Sequence, residues 1–242
     1  MEKISSFEVK RVKILVESQN FDDLLECIEK TGFDVEKIGE GGNAEVFSVQ
    51  DGPMSKFCLK KIKTQPQIKD QNIEREHQYQ IEARKAGVTT PLSVISFESD
   101  HGSYLIMEKI NGFTIRQIAE KPQLLPKNFD VDMFISELTA MIKGMHNANI
   151  VHRDLNAGNV MVNTQGKPVI IDFGTATHGT ANSELAYEET VLLKNQHTGA
   201  YEQKSGFFID DIKNLKNTII PTIRHAVSTH KPTSPTAFMR TA

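Results

Sequence analysis

The sequence predicts an α+β fold in two lobes, the first rich in strands and the second in helices, on three observations. Short apolar runs with strand-like spacing dominate up to Met107, broken by one charged helical stretch. Pro122, Pro126 and Asn128 then punctuate a linker, and beyond it Phe134, Leu138, Met141, Ile142 and Met145 recur at helical spacing. The chain divides on this reading into an extension with a helix (1–32), an N-terminal lobe (33–110), an abbreviated helical C-terminal lobe (111–224) and a loosely ordered tail (225–242). A length of 242 residues suffices for two small lobes around buried cores.

Taken in order, Asp22 or Asp23 caps a helix carrying Leu24, Leu25 and Ile28, which Gly32 ends. Phe33, Val35 and Ile38, then Val46, Phe47 and Val49, then Phe57 and Leu59 form an antiparallel meander, turned at Gly39 to Gly42 and at Asp51-Gly52-Pro53. A charged helix spans 70–86, and the strands Leu92 to Phe97 and Tyr104 to Met107 follow. After the helix around Phe134 to Met145, Val160 to Val162 and Val169 to Ile171 make a hairpin. The remainder is expected to be loop plus one helix from about Asp210.

Composition removes several classes of function. With 28 Lys+Arg against 31 Asp+Glu the net charge is −3, so the chain lacks the broad basic field of a general nucleic-acid binder. No 18-residue apolar stretch predicts a membrane span, and the first thirty residues lack the apolar run of a signal peptide. The two cysteines, Cys27 and Cys58, sit in apolar patterns without a CxxC pair and read as buried small hydrophobes of a reducing compartment.

Three stretches carry chemistry. Gly39-Glu40-Gly41-Gly42, between two strands, lets backbone N–H groups approach a polyphosphate, with Val46 set to press on a flat base. A glycine pair in a hairpin is ordinarily only a turn. Lys60 ends an apolar strand, where an inward ammonium needs a carboxylate. Glu76 on the next helix is the candidate, with Glu74 and Glu82 as alternatives. His152-Arg153-Asp154-Leu155-Asn156-Ala157-Gly158-Asn159 precedes Asp172-Phe173-Gly174, whose Asp follows the apolar strand Val169-Ile170-Ile171. A carboxylate beside an attacking hydroxyl and oxygen ligands for Mg²⁺ are what in-line phosphoryl transfer requires, and Asp154, Asn159 and Asp172 offer them. Helix caps or turn formers would account for one such loop but not for both at this spacing.

These motifs, in this order, resemble the protein-kinase superfamily over roughly Phe33 to Asp211. The resemblance implies a bilobal protein-kinase-like fold that binds ATP and Mg²⁺. Gly39, Gly41, Gly42, Val46 and Lys60 would face the nucleotide, with Met107, Glu108 and Ile110 at its base. It implies a Lys60–Glu76 ion pair, Asp154 as catalytic base and Asn159 and Asp172 as Mg²⁺ ligands. Two departures stand out. Ala44 replaces the third loop glycine, and Asn156 replaces the lysine of Ser/Thr kinases, which leaves an amide to donate toward the γ-phosphate. Arg75-Glu76 with Ala86-Gly87-Val88 is similar to Rio and Bud-type kinases. The Asn-Ala-Glu-Val-Phe loop and the Asp-Leu-Asn-x-Gly-Asn loop resemble compact bacterial effector kinases of the NleH, OspG and HopBF kinds.

The resulting expectation is a monomeric Ser/Thr kinase acting on a protein substrate. It would be cytoplasmic, or secreted by a bacterium into a host cell without a classical signal peptide. A small-molecule phosphotransferase of the aminoglycoside-kinase kind and a pseudokinase binding module compete with it. Ala200-Tyr201-Glu202 stands where a kinase activation segment closes, and Asp210 or Asp211 either anchors the catalytic loop or caps a helix. The hydroxyl-rich segment 175–205 has no basic cluster to read a phosphate, so activity without loop phosphorylation is expected.

Overall fold

The computed structural model describes Lys10 and residues 35–49, 55–69, 72–99 and 102–230. The expected helix near Asp22, Cys27 and the Asp51-Gly52-Pro53 turn lie outside the described residues.

β1 (Val35–Glu40), β2 (Ala44–Val49), β3 (Phe57–Ile62), β4 (Ser93–Ser99) and β5 (Gly102–Glu108) form one antiparallel sheet in the order β1-β2-β3-β5-β4. β3 is central and pairs on both edges, which is why Phe57, Cys58, Leu59 and Ile62 are all buried rather than alternately exposed. Burial pushes the Cys58 thiol up to about 12, so it behaves as an inert small hydrophobe. Helix α1 (Ile73–Lys85) starts at the Asn72 cap, whose side chain accepts from the Arg75 amide. It turns Ile73, Glu76, Gln80 and Ala83 inward, a helical stripe that includes a carboxylate.

The second lobe is built on α3 (Val131–Asn147), capped by Asp130, whose Phe134, Leu138, Ile142 and Met145 are buried. Each such side chain contributes about 1.5–3 kcal/mol of apolar burial. Ahead of α3 lie β6 (Gly112–Thr114) and the short helix α2 (Ile115–Glu120), closed by a Thr114/Gln117 capping box. β6 joins β8 (Val160–Asn163) and β9 (Pro168–Ile170) in a three-stranded sheet. β7 (Ile150–Val151) pairs with β10 (Thr177–His178).

Residues 175–205 depart from the expected loop. They contain α4 (Leu185–Glu188) and a hairpin of β11 (Val191–Lys194) and β12 (Tyr201–Lys204). The hairpin also docks on the N-terminal lobe: Lys194 N–H of β11 donates to Gln67 O (2.8 Å), Lys69 N–H to Leu192 O (3.1 Å), and Tyr201 Oη–H of β12 to Pro66 O (2.5 Å). A four-residue strand whose partner lies more than a hundred residues earlier leaves no local pattern to read.

The last helix runs as α5 (Asp211–Asn214), a π-turn (Leu215–Ile219) and α6 (Ile220–Thr229). Pro221 lacks the N–H that would continue the α ladder, and the wider turn falls just before it. α6 extends five residues into the stretch expected to be a loose tail, with Ala226 fully buried. No described helix is long and apolar enough to cross a membrane.

Candidate active site

Under the β1–β2 turn, Lys60 and Glu76 meet in the interior, with Lys60 Nζ 2.7 and 2.9 Å from the two carboxylate oxygens. Both side chains are nearly inaccessible. The helical stripe of α1 decides the partner, since Glu74 is exposed and Glu82 instead takes His178 Nε2 at 2.7 Å. Lys60 Nζ also reaches Asp172 Oδ1 at 2.8 Å, so one ammonium joins the first lobe to the Asp172-Phe173-Gly174 loop. Burial opposes its charge, yet Asp172 and Glu76 together hold the Lys60 pKa above its ordinary value.

The β1–β2 turn brings Gly39 against Val46, and Gly41 N–H closes it on Ala44 O at 2.9 Å. A Cβ at Gly42 would run into the Gln67 side chain, and Gln67 N–H donates to Gly42 O at 3.1 Å. Glycine here admits a neighbouring segment against the turn. Val46 lies opposite Lys60 on adjacent strands. At the far end of β5 the Glu108 carboxylate accepts from Leu92 N–H at 3.0 Å, the Glu108 amide donates to Leu92 O and the Lys109 amide to Lys56 O. Met107 pairs with Cys58 and Ser93 across the sheet, and Ile110 follows beyond the strand.

Across the cleft, Asp154 is gripped on both oxygens: Asn156 Nδ2 donates to Oδ1 at 2.9 Å and Asn159 Nδ2 to Oδ2 at 2.9 Å. Each amide also donates to the Asp154 carbonyl, at 3.0 and 2.8 Å. Both N–H bonds of Asn156 are thereby engaged, which corrects the expectation that this amide donates toward a γ-phosphate. Burial lifts the Asp154 carboxyl above its ordinary value; the His152 ring and the two amides pull it back, and Asp172 adds to the lift.

The loop is set from below by Asp211, which is fully buried. Its Oδ2 accepts from His152 N–H (2.9 Å) and faces His146 Nε2 (2.9 Å), and its Oδ1 accepts from Arg153 N–H (3.0 Å). Asp210 meanwhile accepts from Lys213 N–H at 2.7 Å. The anchor and the cap are therefore both present, on adjacent residues. Arg153 is held at φ +70° and Asp172 at φ +65°, a left-handed conformation that costs roughly 1–2 kcal/mol per non-glycine residue and needs such bonding to persist.

Asn159 and Asp172 are tied through the backbone, with Ile171 N–H donating to Asn159 O at 3.0 Å. Asn159 spends its amide nitrogen on Asp154, which leaves its carbonyl oxygen as the atom that can ligate a cation, and Asp172 keeps one carboxylate oxygen beyond the Lys60 contact. Partial burial works against the charge of the half-exposed Asp172, but the Lys60 ammonium holds its carboxyl below the ordinary value. Two hard oxygen donors suit Mg²⁺, which shares its shell with waters and phosphate oxygens rather than requiring a protein cage.

The buried ion pair predicts a pH effect. Burial, with Asp172 acting the same way, pushes the Glu76 carboxyl up to about 7 against the pull of Lys60. The ionised pair is present above that pH and weakens as pH falls through it, so nucleotide affinity should fall between pH 8 and pH 6. In Glu76→Gln, titration of nucleotide binding across the same range should be flat by comparison. For folding the sign is opposite: with the folded value raised, the stability contribution of Glu76 is present at low pH and lost as pH rises through about 7.

Two lobes, a glycine-containing turn over a buried Lys–Glu pair and a facing Asp/Asn loop together define a protein-kinase-like molecule. The protein kinase domain family matches residues 33–199, and the chain belongs to that family. A probable serine/threonine-protein kinase of Dictyostelium discoideum is 28% identical over 143 residues, covering 57% of this chain and 31% of that protein. A probable serine/threonine-protein kinase of Streptomyces coelicolor is 26% identical over 189 residues, covering 75% of this chain and 28% of the other. Serine/threonine-protein kinase B of Synechocystis is 29% identical over 147 residues, covering 57% and 25%. The chain spans between about a quarter and a third of the length of these relatives.

Proposed function

We propose that this chain is an ATP- and Mg²⁺-dependent Ser/Thr protein kinase. The observation that carries the reading is the bridge from Glu76 through Lys60 to Asp172, set opposite an Asp154 whose two oxygens are both oriented by amides. Lys60 holds the α- and β-phosphates, while Gly39, Gly41, Gly42 and Val46 cover the nucleotide. Met107, Glu108 and Ile110 border the adenine. The Glu108 amide is already used within the lobe, so the backbone of Ile110 is left for the base. Asn159 and Asp172 hold Mg²⁺, which neutralises phosphate charge when bound. Asp154, its carboxyl raised above its ordinary value by burial, accepts the proton of the substrate hydroxyl as that oxygen bonds to the γ-phosphorus, and the bond to the β–γ bridging oxygen breaks to release ADP. The likeness of the catalytic loop to bacterial effector kinases supports, as part of the same proposal, action on host proteins after delivery.

Activation needs no loop phosphate on this reading. Arg153 Nη1 already pairs with Glu189 Oε2 at 2.7 Å, and its guanidinium lies 3.2 Å from the Phe208 ring centroid. A carboxylate of the segment itself thus occupies the arginine that a loop phosphate would seek. Protein co-expressed with a phosphatase, and verified as unmodified by mass spectrometry, should transfer label from ATP to a generic protein substrate without a lag. Asp154→Ala should not, and aminoglycosides should remain unlabelled. Label on an aminoglycoside alone would favour the small-molecule reading. A lag removed by preincubation with ATP would show control by loop phosphorylation.

A further inference from the structure

With both N–H bonds of Asn156 engaged on Asp154, that amide has none left for a transferred phosphate, and a guanidinium lies beside it. Arg116, the second residue of α2, is attached to the loop at three consecutive positions. Its backbone N–H donates to Ala157 O at 2.8 Å, its Nη2 lies 3.4 Å from Asn156 Oδ1, and a Cβ on Gly158 would come within 3.2 Å of its Cζ. Gly158 therefore leaves the room in which the guanidinium rests, against Asn156, whose amide in turn holds Asp154. The capping box fixes the start of α2, and Ile115 beside Arg116 is fully buried, so the guanidinium is borne on an anchored turn although the residue itself is exposed. Of its five N–H donors the structure engages one, with Asn156.

We propose that Arg116 is a catalytic residue whose guanidinium supplies to the γ-phosphate of ATP the positive charge that Asn156 lacks. The proposal rests on the kinase reading above. Negative charge in phosphoryl transfer is spread over the three equatorial oxygens, and a planar guanidinium satisfies two of them at once. Arg116 stays protonated throughout and exchanges no proton, so the proton balance remains with Asp154.

The test compares wild type, Arg116→Ala, Arg116→Lys, Asn156→Lys and the Arg116→Ala/Asn156→Lys double variant. Readouts are kcat on a generic protein substrate, the ratio of ATP to ADP affinity by calorimetry, and the melting temperature. Arg116→Ala should lower kcat on the order of 10³-fold, as removal of a transition-state arginine does, with an unchanged melt. It should also shrink the preference for ATP over ADP about tenfold, because the contact is to the γ-phosphate alone. Arg116→Lys should keep part of both. Asn156→Lys should raise kcat more in the Arg116→Ala background than in wild type, since either cation fills one need.

Equal effects of Asn156→Lys in the two backgrounds overturn the proposal. So does a change confined to KM for the protein substrate, which would make Arg116 a reader of the substrate chain. An unaltered ATP to ADP ratio in Arg116→Ala overturns it even if wild type transfers no phosphate. Such a lack of turnover, with the ratio shifted as expected, would instead sink the kinase reading alone.

Discussion

Asp172→Ala is expected to abolish nucleotide-dependent turnover in a protein that still folds. The Asp172 side chain is 44% exposed and sits on a loop, so little packing is lost with it. What disappears is one of the two oxygen ligands proposed for Mg²⁺, together with the carboxylate that draws Lys60 across the cleft. A loss of at least about 10³-fold in turnover is expected when the metal is no longer held. Asp172 has φ +65°, which alanine adopts poorly, so a second variant separates charge from backbone strain. Asp172→Asn tolerates the left-handed conformation and removes only the charge. It should be nearly as inactive and should melt closer to wild type. Normal turnover of labelled ATP by the folded Asp172→Asn protein would refute the metal assignment.

Lys60→Met should be the other severe lesion, and Lys61→Met the informative neighbour. β3 pairs in register on both sides, with Lys60 opposite Val46 and Leu105, and successive residues face opposite sides of the sheet. Lys60 accordingly points at α1, whereas Lys61 Nζ stands 5.4 Å from the centroid of the Tyr104 ring. Removing the Lys60 ammonium strands a carboxylate that is 1% exposed, a change that typically costs about 3–5 kcal/mol. Glu76 relieves that cost by taking up a proton, since burial already pushes it up to about 7. The Lys60→Met melting temperature should therefore rise as pH falls from 8 to 6, while activity stays lost at every pH. Lys61→Met should remain within about 0.5 kcal/mol of wild type and keep its activity. If Lys61→Met proves the damaging change, the register of β3 is off by one residue, which would invert both faces of the strand.

How far these residues were legible beforehand depends on how local their signals are. The glycine turn, Lys60 at the end of an apolar run and the two Asp-containing loops are written in adjacent residues, because turn chemistry, strand burial and loop geometry act over a few positions. The buried stripe of α3 was legible for the same reason, since 3.6-residue periodicity is a property of the segment itself. Among Glu74, Glu76 and Glu82 sequence alone left a choice. The phase of α1 against the sheet made it, because that phase depends on packing rather than on the helix's own residues.

The same holds for Asp211 against Asp210: neighbours in sequence, one turned into the core to hold two backbone amides of the catalytic loop and the other left to cap its helix. Arg116 and the β11–β12 hairpin were wholly silent. Their partners, Asn156 to Gly158 and Pro66 to Lys69, lie 40 or more residues away, and a lone arginine or a four-residue apolar run has no periodicity to announce such a meeting. Sequence by itself determined the two lobes and the chemical groups available to them. Only the closing of long-range backbone pairs decided which groups face one another across the cleft, because those contacts draw their free energy from surfaces that exist once both lobes have formed.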